Sequence, residues 1–375
     1  MPGIYIHIPF CQRRCNYCDF YSETNLESRS LLITNIVKEL ELRKDYLPEK
    51  NIETIYFGGG TPSLLKREDF ERVFDIINSL YAISENAEIT FEANPDDLTE
   101  QYLSSLSPLP FNRISIGIQS FSNYYLGLLN RRHSKEQAIR AIQNAQQAGF
   151  DNISIDLMYG LPYQTLADWE EDLNTAFGMN IQHISAYGLT YEEGTMLWKL
   201  LADERIEAVD EEMMNEMYRV LLERTKKNGF EAYELSNFSI PNRHSQHNSA
   251  YWKQKPYIGI GPSAHSFDGK SRQWNVNSST EYMKAISEHI IPAEKEILSL
   301  FDQYNDFIMV SLRTSEGIDL MRLEEKFGNE LKTYCLENIK SFIDTEKAEL
   351  KNNVIRLKTE GILISNLILT ELMKV

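Results

Sequence analysis

The chain has 375 residues, 42% apolar and 25% charged, ordinary values for a folded protein of about two domains. Its 38 Lys and Arg against 55 Asp and Glu give a net charge of −17. That balance argues against a nucleic-acid binder, which needs a basic surface, and leaves room for a local basic pocket. No run of about 18 apolar residues is present to span a membrane, and residues 1–10 lack the charge pattern of a secretory signal.

Gly3–Ile8 (GIYIHI) reads as a strand and runs directly into a cysteine-rich loop. Residues 31–42 place apolar side chains at 32, 33, 36, 37 and 40, one face of a helix. Residues 52–57 form the next strand, broken by Gly58-Gly59-Gly60. An amphipathic helix follows over 69–80, then strands over 87–91 and 113–118. Ser134 opens a helix with Gln137 three residues on as a capping box, Ile139 and Ile142 on its buried face, and Gly149 as its stop. Residues 152–157 and 183–187 are strands, Leu166–Phe177 a helix, and 210–228 a longer helix ending at Gly229. Six strand-then-helix units predict an α/β fold with a parallel sheet, either open and doubly wound or an incomplete barrel. The pattern changes between 280 and 300, so the expected division is a core of 1–285 and a C-terminal helical domain of 286–375. That smaller domain is expected to end in a winged hairpin, with Val354–Leu357 pairing residues 362–364 across a turn at 359–361.

Of four cysteines, Cys11, Cys15 and Cys18 crowd one loop, which is no disulfide framework. Unpaired thiols favour a reducing, cytoplasmic compartment. Thiolates are soft ligands suited to zinc or iron–sulfur clusters. A structural zinc site wants four ligands; Cys335 lies in the other domain, so His7 is the nearest completion. Three thiols on a four-iron cluster instead leave one iron open. Glu92, Gln119 and Asp156 fall at the ends of successive strands, the edge where parallel barrels gather ligands.

The loop IYIHIPFCQRRCNYCDF resembles the cluster loop of the radical S-adenosylmethionine (SAM) superfamily. The resemblance implies a partial barrel of six βα units and a 4Fe–4S cluster on Cys11, Cys15 and Cys18, whose open iron chelates the amine and carboxylate of SAM. It further implies that Gly60 and Thr61 contact the methionyl amine and that Glu92 and Arg131 hold the amino-acid end. Gln119 and Asp156 match groups that bond the ribose hydroxyls, Tyr5 and Tyr17 aromatic contacts, and Gly188 an adenine contact. Arg132 and His133 are expected at the surface or in support.

The segments IHIPFC, FGGGTPS, FEANPDDL, GIQSF, DLMYGLP, YELSNFS and IGIGPSAHSF extend the resemblance over nearly the whole chain, to the oxygen-independent coproporphyrinogen III oxidase family. The oxidases carry a further cysteine two residues after the third; here that residue is Phe20. Gln246–Trp252 (QHNSAYW) contains HNxxYW, which resembles the signature of the HemW-type haem chaperone branch. This implies a protein that binds haem and hands it to an acceptor protein, served by an electron donor. The alternative is the oxidase, which converts propionates to vinyls by radical decarboxylation. Histidine is a common axial ligand of haem iron, and His247 is the leading candidate, with His244 and His265 next. His7, His133, His183 and His289 are expected to be structural or exposed.

Overall fold

The computed structural model describes residues 2–374. Six strands, β1 (Gly3–Ile8), β2 (Asn51–Gly59), β3 (Ala82–Ala93), β4 (Arg113–Gln119), β5 (Ile153–Tyr159) and β6 (His183–Gly188), pair in parallel and in sequence order. Between them run α1 (Arg29–Leu42), α2 (Arg67–Leu80), α3 (Glu100–Leu106), α4 (Asn123–Leu128), α5 (Lys135–Gln147) and α6 (Leu166–Phe177). When each strand pairs with the next in sequence, every right-handed crossover puts its helix on the same face. The sheet is therefore singly wound and curls into a partial barrel, the second of the two expected architectures.

The strands alternate. Ile4, Ile6, Ile8, Ile55, Phe57, Ile114 and Ile155 are buried in the same core as Leu32, Ile36, Phe70 and Phe74 of the helices. Full burial of each such side chain contributes roughly 1.5–3 kcal/mol. The residues between them, among them Tyr5, His7, Thr54, Tyr56, Glu88, Glu92, Arg113, Asp156 and His183, turn to the other face and give the barrel a polar interior.

Beyond β6 come α7 (Met196–Ala202), α8 (Glu211–Lys227), β7 (Glu231–Ala232), β8 (Asn237–Ser239), α9 (Gln246–Trp252), β9 (Tyr257–Ile260), β10 (His265–Phe267), β11 (Ser271–Asn275), α10 (Ser279–Ser287) and β12 (Ala293–Ile297). β9 joins the free side of β1 in parallel, and β10, β11 and β12 extend that edge antiparallel. β8 and β7 extend the other edge beside β6, giving a sheet of 12 strands. The main sheet thus runs past residue 285 to Ile297. The sequence of β12, AEKEI, is charged and largely exposed, so it carries no apolar pattern to announce it.

The C-terminal unit holds α11 (Leu300–Leu312), β13 (Ile318–Asp319), α12 (Leu320–Asp344, interrupted at Gly328), β14 (Ala348–Lys351), β15 (Val354–Leu357), α13 (Thr359–Leu363) and α14 (Ser365–Leu372). It has its own core, including Phe307, Leu323, Cys335, Ile339, Ile355 and Leu372. The expected hairpin is displaced: β15 pairs with β14 ahead of it and with β13, while residues 362 and 363 are helical. Asn352 and Asn353 have φ of 54° and 61°, the pair of positive values a two-residue I′ hairpin turn requires and asparagine tolerates.

Candidate functional site

The cysteine loop leaves β1 and is pinned at both ends. Cys11 N–H donates to Glu23 O at 2.8 Å and Glu23 N–H to Pro9 O at 2.7 Å. Asn16 ties the middle to the end of α4 through Leu129 O at 3.1 Å and Leu128 O at 2.8 Å. Gly60 sits against the β1 end. A Cβ there would stand 2.7 Å from Phe10 O and 2.8 Å from Pro9 C, so this glycine serves backbone packing under the loop.

Cys11, Cys15 and Cys18 are unpaired, half-buried thiols on a cleft of about 430 Å³, within the range of small-molecule sites. Tyr17, Gly60, Thr61, Glu92, Gln119, Arg131, Asp156 and Gly188 line the same cleft. The strand ends bring them there. Gln119 has a φ of 69°, and the β4–β5 register shifts between Gly117 and Gln119; such a bulge re-aims a side chain. Glu92 accepts from Tyr56 Oη at 2.8 Å and Gly59 N–H at 3.1 Å. Burial, with the charge of Asp156, pushes its carboxyl up to about 7. Asp156 accepts from Ser115 Oγ at 3.3 Å, and burial raises its pKa.

Arg131 spans the floor. It donates to Asn94 Oδ1, to Gly117 O and, at 3.4 Å, to Cys15 Sγ. Its Nε is buried without a partner. Burial opposes its charge, but Tyr17 and Cys15 hold the guanidinium firmly protonated. Thr61 Oγ1 lies 3.5 Å from Cys11 Sγ. Burial pushes the Cys18 thiol up to about 11 and raises Cys11, so ionising these thiols calls for added positive charge. Among the described residues no three His, Cys, Asp or Glu side chains close around a single metal ion. A cluster taking one thiolate per iron needs a wider triangle, and a half-buried guanidinium beside Cys15 suits an anionic cluster. The donor set fits an iron–sulfur group with an amino-acid ligand beside it.

Two expected residues stand elsewhere. Tyr5 does not line the cleft: its ring lies beside the stacked pair of Tyr56 and His247, 6.2 Å and 6.3 Å from their centroids, and its hydroxyl bonds His7 Nδ1 at 3.1 Å. His247 is only 2% exposed, inside the barrel. Its Nδ1 bonds Thr54 Oγ1 at 2.8 Å, its Nε2 bonds Tyr251 Oη at 2.8 Å, and its ring stacks on Tyr56 at 4.9 Å. Burial, with the charge of Arg113, lowers its pKa to about 3. As folded, this imidazole is a neutral, fully bonded core group rather than an open ligand. HNxxYW places His247 and Tyr251 four apart on one helix face, and that face turns inward.

Of the runners-up, His244 stacks on Tyr233 at 4.3 Å and reaches Glu231 at 3.4 Å. His265 is exposed, opposite Trp274 on the next strand. His7, His133 and His183 are buried and hydrogen-bonded, and His289 is exposed. Arg132 pairs with Asp96 at 3.1 Å and Asp97 at 3.0 Å, bracing the loop after β3. Sequence reasoning missed Asn94 and Tyr187, both on the cleft. Each is at or just beyond a strand end, the signal that had located Glu92 and Asp156.

Comparison with known proteins gives this geometry its lineage. The radical SAM superfamily model matches residues 5–176, and the HemN C-terminal domain model matches 298–364. A heme chaperone HemW from Bacillus subtilis is 32% identical over 370 residues, covering 98% of this chain and 97% of that one. The chain belongs to the HemW family. A HemW heme chaperone from Lactococcus lactis is 31% identical, covering 96% and 94% of the two chains. The solved coproporphyrinogen III oxidase HemN of Escherichia coli, described as a radical SAM enzyme, superposes with a TM-score of 0.85 at 20% identity, over 100% of this chain and 90% of that one. The HemW-family chain and the oxidase therefore share one fold, and the fold alone does not choose between their activities.

Proposed function

We propose that this chain is a haem chaperone, which binds haem and transfers it to an acceptor protein, built on a core that holds a 4Fe–4S cluster and SAM. One observation carries the core assignment: a single cleft collects three unpaired thiols, two half-buried carboxyls and a half-buried guanidinium whose Nε has no partner. Cys11, Cys15 and Cys18 hold the cluster. Glu92 faces the ammonium of SAM and Arg131 its carboxylate. Gln119 and Asp156 take the ribose hydroxyls, Thr61 and Gly60 border the amine, and Tyr17 and Gly188 flank the cofactor. Tyr5 acts from behind the wall, by fixing Tyr56 and His7. When bound, the cluster supplies an open iron and one-electron reducing power. An electron donor, an acceptor protein, a cytoplasmic setting and a functional division near residue 285 complete the proposal.

The haem assignment rests on family membership and on the HNxxYW helix. His247 is its axial ligand, on one condition: ligation must first free a ring nitrogen, breaking the bond to Tyr251 or the bond to Thr54. His265 is the accessible competitor. The test is anaerobic reconstitution followed by haemin titration. About four irons per chain are expected in the cluster, together with a saturable Soret band that His247→Ala loses or shifts. Coproporphyrinogen III should not be converted, since Phe20 supplies no thiol. A band unchanged in His247→Ala but lost in His265→Ala moves the ligand to His265. SAM-dependent formation of vinyl product overturns the chaperone reading.

A further inference from the structure

A second cavity, of about 280 Å³, lies in the seam between the antiparallel edge of the main sheet and the C-terminal unit. It shares no lining residue with the cofactor cleft. Gln254 comes from just beyond α9, Phe267 and Lys270 from the β10–β11 hairpin, Gln303 from α11, and Lys326 and Phe327 from α12. The phenyl rings supply apolar wall. The charge is unbalanced. Asp306, the one carboxylate on the cavity, is engaged by Arg272. Lys270 and Lys326 are exposed and make no salt bridge among the described residues; the Lys326 ammonium donates to Gln254 Oε1 at 3.5 Å and lies 5.6 Å from the centroid of the Phe307 ring. Burial and the charge of Arg322 lower the pKa of Lys326, against a smaller opposing effect of Glu325. In a chain of net charge −17, two ammonium groups outside any salt bridge among the described residues form a local positive site over one cavity.

We propose that this seam cavity binds a carboxylate borne on an apolar, flat body. Lys270 and Lys326 take the carboxylate in charge-assisted hydrogen bonds, and Phe267 and Phe327 take the body. The identity of the natural ligand rests on the haem-chaperone reading, because a propionate-bearing haem edge has this chemistry. Occupancy would bridge the hairpin of the main sheet to α12, tying ligand binding to the fit between the two units.

The full, cluster-reconstituted chain is titrated calorimetrically with 3-phenylpropionate, with 3-phenylpropanol as the uncharged control. The acid should bind saturably and at least about tenfold more tightly than the alcohol. The Lys270→Gln/Lys326→Gln double variant should lose that advantage while keeping the wild-type unfolding midpoint. Equal binding of acid and alcohol, or an advantage that survives in the double variant, overturns the site. Haemin and its dimethyl ester form a second arm. A preference for the free acid that the double variant loses supports haem as the ligand. Phenylpropionate binding without such a preference keeps the site and removes haem from it. A wild-type chain that binds no haemin refutes the haem reading and leaves the first arm standing.

Discussion

At the residue scale the cleft separates cleanly by mutation. Replacing Cys11, Cys15 or Cys18 with Ala should abolish the cluster absorbance. Cys335→Ala should not, because that thiol lies in the C-terminal core. Asp156→Ala removes one charged partner of a polar ligand, a loss of roughly 1.5–3 kcal/mol. SAM affinity should fall by about tenfold or more with the cluster intact, read by equilibrium binding; unchanged affinity removes Asp156 from the site. Glu92 adds a pH signature. Its carboxyl is raised to about 7 from 4.5, so the folded chain keeps a proton that the unfolded chain has already released. This group therefore costs no stability below about pH 4.5, and its cost grows as pH rises through 7, by up to about 3 kcal/mol at 1.36 kcal/mol per pKa unit. Denaturant unfolding of the cofactor-free protein should show wild type losing stability relative to Glu92→Gln between about pH 5 and 8; parallel curves would contradict the assignment. The cleft residues were legible because they fall at strand ends. The burial of His247 was not, because only the docking of α9 decides which way its imidazole faces.

At the element scale, the signals that sequence carries best are local. Ser134 caps α5 with Gln137 in a reciprocal box, and Gly149 follows with a φ of 93°. The choice between open sheet and partial barrel was not local: parallel strands are covered on both faces in either architecture, and only the order in which the strands pair decides it. β7, β8 and β10 span only two or three residues, too short for any period to register. One long-range group that places α9 is Glu88 of β3. Its carboxylate accepts from the backbone N–H of Gln246 at 2.9 Å and of His247 at 3.0 Å, and faces Arg113 at 3.9 Å. Both partners are almost fully buried. Removing one member of a buried pair typically costs about 3–5 kcal/mol. Glu88→Ala should lower stability by about that much and release the His247 ring, with Glu88→Gln milder because it keeps acceptor capacity. Chemical denaturation and the histidine ring resonances report the two effects; a loss under about 1 kcal/mol would mean that α9 is held from elsewhere.

At the scale of the whole molecule, α9 joins the barrel interior to the C-terminal unit. His247 faces inward onto Thr54 and Tyr56 and bonds Tyr251, while the far end of the helix meets the other unit. Trp252 lies under the Arg313 guanidinium at 5.9 Å, and Lys253 pairs with Glu316 at 3.1 Å. Backbone bonds stitch the same seam, from Leu235 N–H to Arg313 O at 3.1 Å and from Ser315 N–H to Tyr233 O at 3.0 Å. A haem iron that reaches His247 must therefore draw α9 away from β2, and the contacts of Trp252 resist that movement. If ligation waits on this opening, its rate depends on how tightly the seam is closed, while the final complex does not. Trp252→Ala removes the stacking surface beneath Arg313, an interaction of about 0.5–2 kcal/mol, and should speed the Soret change several-fold in stopped-flow mixing with haemin. The end-point spectrum should match wild type, because the iron finds the same imidazole. Thr54→Val should act in the same direction by deleting the Nδ1 partner inside the barrel. Rates that stay at the wild-type value in both variants would show that haem does not wait for α9, and would leave exposed His265, beside Trp274, as the group it meets.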